Sequence, residues 1–196
     1  MTTLSYRTET EEGLDGGRTT YEYLEPQEEA LRAFFQELFE RHWARIVFGP
    51  CVPGSVFEVR LTDAPKKISY LDGYLTVDLG PWHFHLCIGT HRGTQANPTP
   101  PAVAQQRRVS KAAFYHSQPG QGGHGFGSWG FRMWNGDGDQ MLTIFFPNPY
   151  LSEQMKPQKP DWTRLALWNA MRTKCLSGAT DWQPEGAMSE EAPVER

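Results

Sequence analysis

Between residues 55 and 146 the chain is a succession of short alternating or apolar segments. Glycine, proline or Asp-Gly turns close them, and no helical pattern intervenes. Parallel strands need crossovers of a dozen or more residues, usually helical. A doubly wound parallel sheet is therefore excluded, and an antiparallel one is expected.

The segments can be placed individually. Ser55–Leu61 sets Val56, Glu58 and Arg60 against Phe57, Val59 and Leu61. Lys67–Leu71 and Tyr74–Leu79 flank Asp72-Gly73, a pair that supplies the positive φ of a tight hairpin turn. Trp82–Gly89 has the strongest β character. Asn97-Pro98-Thr99-Pro100-Pro101 reads as an extended loop, and Val109–His116 fits a strand or a helix, with the strand preferred. Ser128–Trp134 and Gln140–Phe146 form a second hairpin around Asn135–Asp139. With 19 glycines and 15 prolines, turns have ample material.

Helices bracket this region. Leu31, Phe34, Phe35, Leu38, His42 and Ile46 recur at three- and four-residue spacing, predicting a helix from Pro26 to about Val47. Glu28 and Glu29 suit its positive end, and His42 falls on its apolar stripe. Asp161 can cap a last helix reaching about Leu176, apolar through Trp162, Leu165, Trp168, Met171 and Cys175. The fold expected is α+β: a curved, mostly antiparallel sheet or partial barrel of six to seven strands, flanked by two helices. Residues 1–24 read as a loose acidic arm with one short strand near Thr19–Leu24. Residues 25–180 form a single globular domain, and residues 181–196 an acidic, disordered tail.

Charge is unevenly distributed. Residues 1–29 carry 8 acidic and 2 basic side chains, residues 181–196 carry 5 and 1, and residues 30–180 carry 10 and 16. The body is thus basic and attracts anions. The cluster Arg107, Arg108 and Lys111 reads as a solvated face, and no broader patch or motif points to nucleic acid. No apolar run approaches the roughly 18 residues of a membrane span. No secretory leader is visible, and the three cysteines, Cys51, Cys87 and Cys175, form no CxxC pair. A cytoplasmic protein with reduced thiols is expected.

Chemistry concentrates on Trp82-His83-Phe84-His85-Leu86-Cys87-Ile88-Gly89-Thr90-His91. Alternation puts His83, His85 and Cys87 on one strand face. Imidazoles at i and i+2 stand about 6–7 Å apart at the backbone and can converge on one ion. His91, His116 or His124 would supply the third ligand to zinc or non-haem iron, with water in the open position. His-x-His strands also occur in cupins and α-type carbonic anhydrases, but only these three residues are shared, and neither family is claimed. The bland alternative is that His83 and His85 are hydrogen-bonded polar residues on an open face.

Arg132 interrupts the apolar Trp129–Trp134 segment, so it either pairs with a carboxylate or holds an anionic group. Glu58 and Asp78 are the strand carboxylates available as partner or general base, with Tyr70 and Tyr115 as weaker candidates. Asn135–Asp139 is no calcium loop, since the twelfth position is Phe146 rather than glutamate. The glycines of residues 120–127 lack the Gly-Lys-Ser/Thr ending of a phosphate loop.

The expected function is a metal-dependent hydrolase, lyase or oxidoreductase acting on a small anionic molecule, with Arg132 and Glu58 as catalytic candidates. The alternatives are a non-catalytic module for a small ligand or haem, and an accessory subunit of a larger complex. A homo-oligomer or protein partner is compatible with each.

Overall fold

A computed structural model describes residues 6–52, 54–120 and 126–184. The chain opens with the hairpin β1 (Arg7–Glu12) and β2 (Arg18–Leu24), followed by α1 (Glu28–Arg41). A 3-10 turn, Trp43–Arg45, leads into β3 (Val47–Gly49), β4 (Cys51–Val52), β5 (Ser55–Val56) and β6 (Val59–Arg60). Three strands follow: β7 (Lys67–Leu71), β8 (Tyr74–Asp78) and β9 (His83–Cys87). A short helix α2 (Pro101–Arg107) precedes β10 (Lys111–Gln118), β11 (Ser128–Trp134) and β12 (Gln140–Phe145). The 3-10 turn Trp162–Leu165 opens α3 (Ala166–Cys175).

The main sheet has seven strands in the order β1-β2-β10-β11-β12-β3-β6, and it does not close. Its pairings are antiparallel. A separate three-stranded sheet is ordered β7-β8-β9, and β4 pairs with β5 alone. The α+β class with an antiparallel sheet and flanking helices is therefore observed.

Register explains the packing. Phe114, Phe131, Ile144 and Phe48 form one row across the main sheet and share its helix-facing side. Phe34 of α1 places its ring 4.4 Å from that of Phe131. One turn on, Phe39 meets Phe48 at 5.1 Å and Phe84 of the small sheet at 5.6 Å. The apolar face of α1 thus joins the two sheets. Each such aromatic, once buried, contributes about 1.5–3 kcal/mol of transfer free energy. From α3, fully buried Trp168 donates its indole N–H to Gly130 O at 3.0 Å.

Several elements differ from the sequence expectation. The first helix stops at Arg41 rather than near Val47. Ile46 turns extended, and Val47–Gly49 pairs with β12, so β-favouring residues in a pairing position override the helical spacing. Residues 7–24 form a full hairpin rather than a loose arm with one strand, and β2 pairs with both β1 and β10. Thr20, Glu22 and Leu24 alternate with Tyr21 and Tyr23, and Glu22 is buried against Arg172. The Ser55–Leu61 segment breaks into β5 and β6 around exposed Phe57. There the backbone crosses Gly49 so closely that a Cβ on Gly49 would lie 1.7 Å from Phe57 O. Pro101 starts α2 where an extended loop was expected, occupying the first helical position that proline tolerates.

Other expectations hold in detail. Asp72 and Gly73 take φ of 47° and 80°, the primed turn that suits a hairpin. Asp161 accepts from Thr163 N at 3.1 Å as the cap of the last helical segment. Trp182 packs against Trp129, Trp162 and Trp168, so the packed core runs past residue 180. Residues 185–196 of the expected tail lie outside the described residues. Among the described residues, no helix is long and apolar enough to cross a membrane.

Candidate functional site

Strand β9 projects Phe84 and Leu86 into the core and leaves His83 and His85 exposed. The two imidazole rings stand 5.0 Å apart between centroids. His85 Nδ1 shares a 2.7 Å hydrogen bond with Thr76 Oγ1 on β8, so its Nε2 is the nitrogen left for a ligand. Asp78 is the cross-strand neighbour of His83, but its carboxylate accepts from Gly80 N at 2.7 Å.

The other histidines lie elsewhere. His91 Nε2 is 3.4 Å from Asp72 Oδ2, while Arg107 Nη1 donates to His91 Nδ1 at 3.2 Å. An acceptor at Nδ1 leaves the proton on Nε2, facing the carboxylate. Asp72 also accepts from the backbone of Arg92 and Gly93, at 2.8 and 2.9 Å. Those bonds, the one from Arg92 first, hold its pKa below the ordinary carboxylate value. His91 therefore ties the loop after β9 to the β7–β8 turn and to α2. His116 stands on β10 in the main sheet, its ring 5.2 Å from that of Trp182. His124 lies outside the described residues. Among those described, no three His, Cys, Asp or Glu side chains are gathered as a metal site requires. Cys87 is buried, burial pushes its thiol pKa up, and its Sγ points to Gly89 O at 3.5 Å. That is the setting of an inert structural thiol.

Glu58 is exposed between β5 and β6 and borders a cavity of about 190 Å³ that Arg45, Arg60 and Arg164 also line. Arg60 and Arg164 already pair with Glu153. Glu58 and Arg132 share no hydrogen bond or ion pair, so the structure does not bring these two candidates together.

Arg132 has a setting of its own. Alternation along β11 sends Phe131 and Met133 toward the helices and Arg132 to the opposite face of the main sheet. Its Nη1 donates to Tyr21 Oη at 2.6 Å and its Nε to Thr143 Oγ1 at 3.2 Å. The guanidinium carbon sits 4.7 Å from the centre of the Tyr115 ring. Tyr21 meets Trp134 edge-on at 5.5 Å, and Tyr23 follows at 6.2 Å from Trp134. Burial raises the pKa of Tyr21 and pushes that of Tyr115 up to about 12, so both stay neutral. Among the described residues no carboxylate pairs with Arg132. The guanidinium is oriented by hydroxyls and rings, while Glu11 of β1 acts on its partner Tyr21 from a distance without an ion pair to Arg132.

Tyr21, Tyr23 and Thr143 are the members that sequence reasoning missed. The Thr19-Tyr21-Tyr23 alternation on β2 was the available signal.

A family model matches residues 8–177, most of the chain. The chain belongs to DUF7676. This is a family of unknown function, so membership in DUF7676 assigns no chemistry to Arg132 or to the β9 histidines. Among solved structures, protein AGR_C_4470 from Agrobacterium tumefaciens is similar to this DUF7676 chain with a TM-score of 0.46 and 15% identity. The match covers 83% of this chain and 73% of that one. No curated protein matches.

Proposed function

We propose that this protein binds a small anionic molecule, with Arg132 as the residue that holds the anion. The observation that carries the reading is the half-buried guanidinium without a carboxylate ion pair among the described residues, fixed by Tyr21 and Thr143 and stacked on Tyr115. A cation taken partly out of water costs free energy unless an opposite charge accompanies it. A planar guanidinium matches a carboxylate bidentately, and aromatic neighbours favour a flat ligand. The basic body, with 16 cationic against 10 acidic side chains in residues 30–180, draws such a ligand in. This is the reading of a binding module rather than an enzyme, placed in the cytoplasm, where its free thiols Cys51, Cys87 and Cys175 stay reduced.

The test is calorimetric titration with benzoate, the simplest planar aromatic carboxylate. Wild type should bind one equivalent saturably, and Arg132→Met should lose about tenfold or more in affinity, the worth of one charged contact. Equal binding by the variant, or none by wild type, would refute the reading.

A second reading keeps the metal enzyme. The 5.0 Å separation of the exposed His83 and His85 rings supports two-point capture of zinc or iron. A third protein ligand would have to come from outside the described residues, where His124 lies. Elemental analysis of wild type against a His83→Ala, His85→Ala double variant decides it. Metal at one equivalent that vanishes in the variant supports this reading, and none after supplementation with both metals removes it.

A further inference from the structure

His83 and His85 offer half of a metal site. Their rings stand 5.0 Å apart on β9, and both side chains are exposed. Among the described residues no third His, Cys, Asp or Glu joins them. We infer that a second copy of this chain supplies the other half: one zinc ion lies on a twofold axis between two small sheets, held by His83 and His85 of each copy. This rests on the reading that the β9 histidines capture a metal, and it names the missing ligands.

Zinc in a structural site takes four ligands in a tetrahedral arrangement, and imidazole nitrogens serve in that role. A twofold contact is isologous, so it doubles any pair of side chains that lies at its axis. Two histidines per chain become four in one step. The other described histidines on or near these sheets are committed elsewhere: His91 contacts Asp72 and Arg107, and His116 lies in the main sheet.

The face is built for the approach. Register sets Lys67, Asp78 and His83 in one row across the small sheet, and Ser69, Thr76 and His85 in the next. Ser69 and Thr76 are short, so the imidazole is the longest side chain of its row. A ligating imidazole donates its other ring N–H to an oxygen, which fixes its tautomer and its aim. Thr76 Oγ1, 2.7 Å from His85 Nδ1, is in place as that acceptor and leaves Nε2 for the ion. Trp82, the residue before His83, is 73% exposed, an aromatic of the kind that interfaces cover.

The experiment strips the full-length protein with a chelator and follows a zinc titration by sedimentation velocity. A monomer should become a dimer, saturating at one zinc per two chains, and chelator should reverse it. His83→Ala, at an exposed position, should abolish the zinc-driven dimer. Thr76→Val should weaken zinc binding about tenfold or more and leave the stoichiometry unchanged. One zinc per chain on a protein that stays monomeric would overturn the inference while leaving the single-chain metal reading standing. An absence of saturable zinc binding would remove both. Dimerisation that neither chelator nor His83→Ala affects would also overturn the inference.

Discussion

Replacing Arg172 with alanine probes the contact that holds the N-terminal hairpin to the last helix. Arg172 is 5% exposed and Glu22 is 7% exposed. The guanidinium pairs with Glu22 through both Nε and Nη2. Its Nη1 donates to Thr180 O at 2.6 Å, and Nη2 also reaches Tyr6 Oη at 3.4 Å. Alanine removes all of these and strands a carboxylate in the core. Breaking a buried pair from one side costs about 3–5 kcal/mol. Against a total stability of roughly 5–15 kcal/mol this is a large fraction. For a chain of this size it lowers Tm by roughly 6–20 °C. Urea denaturation of wild type, Arg172→Ala and the double variant Glu22→Leu, Arg172→Met measures it. The single variant should lose the full amount, and the double variant should recover most of it because neither charge remains buried alone. A loss under about 1 kcal/mol in Arg172→Ala, or a double variant as unstable as the single one, would refute this reasoning.

Three further outcomes are expected. Gly49→Ala should unfold the β3–β6 region, because its Cβ would lie 1.7 Å from Phe57 O and backbone must move; limited proteolysis near residue 57 reports it, and wild-type resistance would count against the close crossing. Burial pushes the Cys175 thiol from 9.0 to about 11, so its stabilising effect is complete below pH 9 and disappears as pH rises toward 11. Its alkylation near neutral pH should run about 100-fold slower than that of the denatured chain, and equal rates would contradict the burial. Asp72 has its pKa held down, so the stability it lends is present above its ordinary value of 3.8 and is lost as pH falls through the lower folded value. Asp72→Asn should flatten that acid limb in denaturation midpoints, and an unchanged limb would mean that the bonds from Arg92 and Gly93 to Asp72 contribute nothing to stability.

How much of this was legible depended on whether local and long-range signals agreed. The Asp72-Gly73 hairpin, the Asp161 cap and the α1 stripe from Leu31 through Leu38 rest on short-range chemistry, and they could be read directly. The end of α1 could not. Ile46 keeps helical spacing and is 1% exposed, yet only its pairing neighbourhood makes the following residues a strand. Residues 7–24 looked irregular because the turn glycines and the charge of β1 hide a hairpin whose ordering comes from β10 and from Arg172. The candidate site divided in the same way. Alternation correctly placed His83 and His85 together on an open face. Nothing local revealed that His91 belongs to Asp72 and Arg107, or that His116 sits beneath Trp182 in the other sheet. The choice for Arg132 between a carboxylate partner and an anionic ligand was visible, but Tyr21 lies 111 positions away.

The proposed anion site rests on Arg132, which has no ion pair among the described residues, and NMR can observe that group itself. The side-chain Nε–Hε resonance of Arg132, assigned by its loss in Arg132→Met, should shift saturably with added benzoate, with the Trp134 indole resonance following the same curve. The Nε–Hε resonance of Arg172, already paired with Glu22, should stay still. An Arg132 resonance that does not move while benzoate binds, or that moves no more than those of exposed surface arginines, would contradict the account.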